Sequence, residues 1–357
     1  MTKSDYKVIG VMSGTSLDGI DIIYATYTYN KFWEFEIEYA ETIAYPKTWH
    51  SILSKLVKTS INNLQTIDNA YTEYLAQTIL DFINRNHLEA IDFIASHGHT
   101  ALHQPENTLT YQIGNQQLLA EKLNRKIVCD FRVQDVKLGG QGAPLVPIGD
   151  QLLFKDYDYC LNLGGFANIS YERNNERIAF DICPVNIVLN YYVSNLGLAY
   201  DDNGHLASTG NVQYDLLVQL NELDFYKEQP PKSLGLEWVQ FNCFAIIDAR
   251  QIEIKDILRT YVEHIAIQIS KILSHTNSRV LVTGGGVYNK FLMQRIRTLS
   301  NAIISIPDNE IVEYKEALIF GLLGILKDRG EVNCLKSVTG ATRNHSSGKI
   351  MYPEMQN

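Results

Sequence analysis

Seven consecutive residues, Ser13-Gly14-Thr15-Ser16-Leu17-Asp18-Gly19, gather three hydroxyls, a carboxyl and a run of backbone N–H groups in one short bend. Apolar runs flank it, Val8–Met12 before and Ile20–Ala25 after. Strand, tight turn, strand is the reading, because Gly and Asp relieve the backbone of a hairpin. Converging N–H groups and hydroxyls suit phosphate best. A plain polar hairpin fits the same residues.

Other residues could do chemistry. Asp181 closes the apolar run Ile178-Ala179-Phe180, and a carboxylate there is costly to bury unless it is hydrogen-bonded or needed. That makes it a catalytic candidate. Pro184 suits the first turn of a following helix, with Asp181 near its N-terminus. Gly139–Pro147 is too rich in Gly and Pro for a regular element. It is either a crossover loop or a bare backbone that approaches a ligand closely. Asp130, Arg132 and Asp135 precede it and form either an ion-pair network or a clamp for an anion. Glu316 begins the last apolar helix, where it either complements the helix dipole or binds sugar hydroxyls. Gly284-Gly285-Gly286 is not the dinucleotide fingerprint. His97, His99 and His103 lack metal-ligand spacing, and no zinc site is expected.

These residues need elements to hold them. Strands are expected over Ile20–Tyr29 and Phe32–Ile43. Helical spacing runs over 69–86. Short strands Phe93–Ala95 and Ile127–Cys129 end in polar groups, the end where α/β sheets keep their sites. A second round starts near 157. Tyr159–Leu163, Gly164-Gly165, Ile169–Tyr171, a polar turn and Ile178–Asp181 repeat the plan of residues 8–40. The repetition suggests a duplicated meander-plus-helix domain. A long apolar stripe at 257–273 reads as a core helix. A strand over Arg279–Thr283, a helix over Tyr288–Leu299, a strand over Ala302–Ile306 and a buried helix over Ala317–Leu326 complete the chain.

A chain of 357 residues implies two domains, and 20% charged with 45% hydrophobic residues is ordinary globular composition. The net charge of −9 argues against a nucleic-acid partner. No apolar run approaches the roughly 18–20 residues that span a bilayer, so no membrane partner is expected. The five cysteines are widely spaced, without a CxxC pair, as buried reduced thiols of a cytoplasmic protein would be.

In order, these motifs resemble the anhydro-N-acetylmuramic acid kinase family of the sugar kinase/Hsp70/actin superfamily. The residues that carry it are Gly10–Gly19; Ser96-His97-Gly98 with Thr100; Asp130-Phe131-Arg132 with Asp135 and Gly139–Pro147; and Asn162-Leu163-Gly164-Gly165 with Asn168. Tyr200-Asp201 with Gly204 and Ala207, Pro231-Lys232-Ser233, Thr283–Gly286, Glu316-Ala317 and Val338–Ala341 follow. The resemblance implies an α/β protein of two RNase H-like (actin-like ATPase) lobes with an interlobe active-site cleft. One lobe would be 1–135 plus about 335–357, the other 136–334. It implies ATP and Mg²⁺, with Gly14, Thr15, Ser16, Leu17, Asp18, Gly19, Ile20 and Asp21 along the phosphates, and Asp18 as a metal ligand through water. Gly164, Gly165, Gly284, Gly285 and Gly286 would complete the nucleotide site. Ser13, His97, Thr100, Arg132, Asn186 and Glu316 would bind the sugar, with Asp181 as base.

The implied reaction opens the 1,6-anhydro ring of 1,6-anhydro-N-acetylmuramic acid with water and phosphorylates O6, a step of peptidoglycan recycling. A homodimer is also implied. The family usually reads Asp-Thr-Gly-Pro-x-Asn where this chain has Asp181-Ile182-Cys183-Pro184-Val185-Asn186, which removes a hydroxyl beside the base. His99 stands where Gln is common, and Leu234 where Thr is common. Alternatives are a kinase of the same fold for another sugar and a weakly catalytic ATP- and sugar-binding sensor.

Overall fold

Strand β1 (Asp5–Ser13) is buried on both faces from Val8 onward, as a central strand must be. The computed structural model describes residues 3–14, 17–59, 61–273 and 275–354. Around β1 a seven-stranded sheet forms from β2 (Ile20–Asn30), β3 (Phe32–Ile43), β4 (Phe93–Gln104), β5 (Leu109–Ile113), β6 (Ile127–Cys129) and a late strand, β12 (Lys349–Met351). The order is β12-β6-β4-β1-β2-β3, with β5 on β4. The pairs β1–β2 and β2–β3 are antiparallel; β1–β4 and β4–β6 are parallel.

The two faces of this sheet bury different helices. Ile9, Val11, Ile20, Ile22 and Tyr24 alternate onto one face and pack with Tyr71, Leu75, Ile79 and Phe82 of the helix Ile61–Arg85. Residues of opposite parity meet the helix Asn309–Asp328. Tyr27 donates its hydroxyl to Leu318 O at 2.6 Å, and Gly10 lies beneath Ala317.

The second sheet has five strands, β7 (Tyr159–Leu163), β8 (Phe166–Arg173), β9 (Glu176–Pro184), β10 (Arg279–Thr283) and β11 (Ile303–Ser305), in the order β11-β10-β7-β8-β9. Its antiparallel pairs are β7–β8 and β8–β9; its parallel pairs are β7–β10 and β10–β11. With β5 and the late strand β12 set aside, the first sheet reads β3-β2-β1-β4-β6 and the second β9-β8-β7-β10-β11, the same order of successive strands with the same strand directions. That is RNase H-like topology, present twice, and the chain is α/β. The helix Ile254–Ile272 buries Ile257, Leu258, Tyr261, Val262, Ile265, Ala266 and Ile269 in the second core, as the apolar stripe implied.

The compact units are Met1–Leu153 with Tyr314–Asn357, and Phe154–Glu313. The sequence expectation put the change of lobe at 135 and 335. The difference has a local cause. The helix Val146–Leu153 stays with the first unit, its Gly149 under Ile319 and its Asp150 paired with Lys315 at 3.0 Å. No helix among the described residues is long and apolar enough to cross a membrane.

Candidate active-site residues in the two units

In the first unit, Ser13 ends β1 opposite His99 of β4. The strand β4 does not stop at Ala95, as its polar sequence suggested. It runs on to Gln104, with Gly98 at φ +71 and β5 alongside. Ser96, His97, Gly98, His99 and Thr100 therefore sit in a strand. Regular alternation would put positions 97 and 99 on the same side. Gly98, at φ +71, and the register shift against Val11 and Ser13 interrupt it, and the two histidines take different partners.

His99 Nδ1 lies 2.9 Å from Ser13 Oγ. Ser13 Oγ also meets Tyr45 Oη at 2.5 Å and accepts from Tyr71 at 3.0 Å, and the two tyrosine hydroxyls are 2.6 Å apart. Ser13 is 2% exposed. Burial pushes the Tyr45 hydroxyl up to about 12 and His99 down to about 4.

His97 serves another residue. Its Nδ1 is 2.8 Å from Gly98 O, and Arg132 Nε donates to its Nε2 at 2.8 Å. Burial, then the Arg132 charge, hold His97 well below the usual histidine range, so it is a neutral acceptor. Arg132 Nη1 donates to Gly142 O at 2.7 Å, while Nη2 has no partner among the described residues. The expected Asp130–Arg132–Asp135 ion pairing does not form. Asp130 accepts from Asn115, and Asp135 accepts from Gly142 N–H at 2.7 Å. Thr100 is half-buried.

Glu316 does not begin its helix. The helix starts at Asn309, so Glu316 lies two turns inside it and cannot complement the dipole at its end. Desolvation by its surroundings raises its carboxyl above the ordinary carboxylate value, against the lowering pull of Arg132 and Lys315. Around the β1–β2 turn, Leu17 N–H reaches Gly14 O at 3.4 Å and Leu17 adopts φ +64. Gly14 is half-buried, Asp18 exposed, and Gly19 and Ile20 buried. Asp21 accepts from Thr42 at 2.6 Å. Thr15 and Ser16 lie outside the described residues.

In the second unit, Asp181 is half-buried on β9, opposite Asn168 of β8. Its Oδ2 accepts from Leu234 N–H at 2.8 Å, and its own N–H donates to Lys232 O at 3.1 Å. The segment Pro231–Leu234 thus runs beside β9. Oδ1 takes no hydrogen bond among the described residues. Burial raises the carboxyl above the ordinary carboxylate value, against the lowering pull of the Leu234 N–H. Pro184 is the last residue of β9, paired with Phe166, and not the first turn of a helix. A bulge at Ala167/Asn168 lets the ladder continue past Asp181. The helix begins at Asn186, whose Nδ2 donates to Leu163 O at 3.4 Å.

The glycines differ in what they are for. A Cβ on Gly284, at φ +83, would lie 2.4 Å from Asn162 Oδ1, and one on Gly286 would lie 2.7 Å from Leu163 Cβ. Packing alone demands both. A Cβ on Gly285 meets nothing within 4 Å, and those on Gly164 and Gly165 meet nothing closer than 3.3 Å and 3.9 Å. These three expose backbone without a packing reason, as close approach of a ligand requires.

Sequence reading missed the hydroxyl cluster of Tyr45 and Tyr71 around Ser13. Tyrosines at 45 and 71 give no spacing signal, because their meeting point depends on how the helix Ile61–Arg85 lies on β1.

Three buried neutral histidines imply acid sensitivity. His264 is held down to about 3, chiefly by burial, between Asn221 and Tyr226. A folded value below the unfolded one, about 6.5, gives stability that is complete above 6.5 and lost as pH falls toward the folded value. From pH 7 to pH 5 the unfolding free energy should drop by roughly 2 kcal/mol for each of His99 and His264. Urea unfolding at the two pH values measures this, and unchanged stability would contradict it.

A family profile described as anhydro-N-acetylmuramic acid kinase matches residues 6–353. A protein of that name from Mannheimia succiniciproducens is 33% identical over 373 residues, which cover 97% of this chain and 98% of the relative. Another, from Pseudomonas savastanoi pv. phaseolicola, is 33% identical over 378 residues, covering 98% and 100%. A solved structure of the activator of 2-hydroxyisocaproyl-CoA dehydratase from Clostridium difficile, with bound ADPNP, aligns at a TM-score of 0.46. Identity to it is 13%, over 90% of this chain and 96% of that one.

Proposed function

Because this chain belongs to the anhydro-N-acetylmuramic acid kinase family, we propose that it opens 1,6-anhydro-N-acetylmuramic acid with water and transfers the γ-phosphoryl of ATP to the freed O6. The product is N-acetylmuramic acid 6-phosphate, an intermediate of peptidoglycan recycling. The chain is an ATP-dependent carbohydrate kinase.

The observation that supports this reading within the chain is Asp181. One carboxyl oxygen is fixed by Leu234 N–H, the other has no partner, and burial makes the group a stronger base than a surface carboxylate. Water attacks C1 and gives its proton to Asp181. The C1–O6 bond breaks, and its electron pair goes to O6. O6 attacks the γ-phosphorus, and the bond from that phosphorus to the bridging oxygen of ADP breaks. The leaving oxygen needs no proton, so the second carboxyl of an ordinary glycosidase is unnecessary.

Arg132 offers its unpartnered Nη2 to the sugar, and His97, with both ring nitrogens engaged, is a positioning residue for Arg132. Ser13, Thr100, Asn186 and Glu316 complete the sugar contacts. The 14–21 turn, Gly164, Gly165 and Gly284–Gly286 receive the nucleotide. The hard oxygen donors of Asp18 and Asp21 suit Mg²⁺, which neutralises phosphate charge during transfer. A homodimer would sediment at twice the chain mass.

The test is turnover in ¹⁸O-labelled water. The expected product is a sugar 6-phosphate formed one-to-one with ADP, with label in the C1 hydroxyl and none in the phosphate. Label in the phosphate, or ADP without sugar phosphate, would defeat the proposal.

A further inference from the structure

Cys334 and His345 face each other across an isolated antiparallel bridge, closed by Cys334 N–H to His345 O at 3.1 Å and His345 N–H to Cys334 O at 3.2 Å. Directly opposed residues of an antiparallel pair send their side chains to the same side. On that side lies Asp135, fully buried. Its Oδ1 is 3.0 Å from Cys334 Sγ and 3.6 Å from His345 Nε2, and one ligand atom from each of the three residues lies within 4.8 Å of the others.

His345 itself supplies a second observation. It is 5% exposed, and its Nδ1 lies 3.0 Å from Arg343 O. That bond places the ring proton on Nδ1 and leaves a lone pair on Nε2. Nε2 is buried and has no hydrogen-bond partner. It points at a carboxylate oxygen, lone pair toward lone pair, which is repulsive unless a cation lies between them. A shared proton would draw the two atoms to about 2.7–2.9 Å. The observed 3.6 Å is nearer the spacing of two ligands on one ion, about 3.3 Å for bonds of about 2.0 Å at a tetrahedral angle, whereas the 3.0 Å from Cys334 Sγ to Asp135 Oδ1 is a hydrogen bond donated by the thiol, which metal binding would replace.

We propose that Asp135, Cys334 and His345 form a buried binding site for one divalent cation of the zinc class. Thiolate, imidazole and carboxylate together suit zinc better than magnesium or calcium. On binding, Cys334 loses its thiol proton to solvent and a metal–sulfur bond forms. Two anionic ligands and one neutral ligand then cancel the charge of the dication, as a site without exposure requires. The second shell is in place. Asp135 Oδ2 accepts from Gly142 N–H at 2.7 Å, and Oδ1 also accepts from Thr339 Oγ1 at 2.7 Å. Bound there, the ion ties the Gly-rich 139–147 loop to residues 334–345. The proposal does not depend on the reaction assigned above.

The full-length protein, purified without chelator, should carry about one zinc per chain by elemental analysis. After the zinc is removed, added Co²⁺ should give a sulfur-to-cobalt charge-transfer band in the near ultraviolet together with intense tetrahedral visible bands. Cys334→Ser should lose the charge-transfer band, and His345→Gln should bind Co²⁺ at least about tenfold more weakly. Wild-type protein with neither zinc nor a cobalt–thiolate band overturns the proposal, whatever the variants do. So does a Cys334→Ser protein whose cobalt spectrum matches that of wild type.

Discussion

Asp181→Asn should lower kcat by about 10²–10⁴-fold and leave ATP affinity as it is. The amide keeps an oxygen for the Leu234 N–H, so the strand geometry at β9 is retained and only the proton acceptor is lost. The wild-type pH profile carries the same information. A base works ionised, and burial raises the Asp181 carboxyl above its usual 3.8. The rate should therefore fall as pH drops through a value higher than that, and the acid limb should vanish in the residual activity of Asp181→Asn. Steady-state kinetics from pH 4.5 to 8, in buffers of constant ionic strength, would read both effects (about half a pH unit per step is enough to locate a limb). An Asn variant within tenfold of wild type would remove Asp181 from the reaction.

Asp181 also shows where sequence reasoning reaches and where it stops. An isolated carboxyl after Ile178-Ala179-Phe180 is visible as an anomaly in an apolar run, and so is the repeated plan of two meanders, which recurs as β1-β2-β3 in one sheet and β7-β8-β9 in the other. The continuation of β9 through Pro184 is not visible. Proline lacks the N–H a ladder uses, and it is tolerated here at the end of β9, the edge strand of its sheet, a position that nothing local announces. For β4 the obstacle is polarity. His97 and His99 look like a loop because nothing local says that Arg132 and Ser13, far away in sequence, will satisfy them. Glu316 misled for the opposite reason. Residues 309–315 mix Asn, Glu and Lys with Ile311, Val312 and Tyr314, so the first two turns of the helix show no continuous apolar run like the one from Ala317 onward. The Asp135–Cys334–His345 group spans residues separated by about two hundred positions, and no spacing rule joins them.

The largest stability effect should come from Gly10→Ala, a change of one methyl group. Gly10 stands in the motif that resembles a phosphate-binding opening, which invites a ligand-based reason for it. The geometry gives a different one. A Cβ there would sit 2.2 Å from Ala317 O and 3.1 Å from Ala317 C, both backbone atoms of the helix Asn309–Asp328. The helix has little freedom to retreat. Tyr27 holds Leu318 O from below, and Gly321 and Gly324 rest against Tyr27, Phe93 and Ala95 so closely that any Cβ would overlap them. Overpacking against a fixed backbone costs about 3 kcal/mol, at the upper end for such insertions. Urea or guanidinium midpoints of Gly10→Ala should fall accordingly. Gly285→Ala is the control, because its Cβ meets nothing and the stability change should stay within about 0.5 kcal/mol. The same control should weaken ATP binding if bare backbone at 285 receives the nucleotide. A Gly10→Ala protein as stable as wild type would mean that the helix slides freely over β1, and the close packing described here would then not be what fixes Gly at that position.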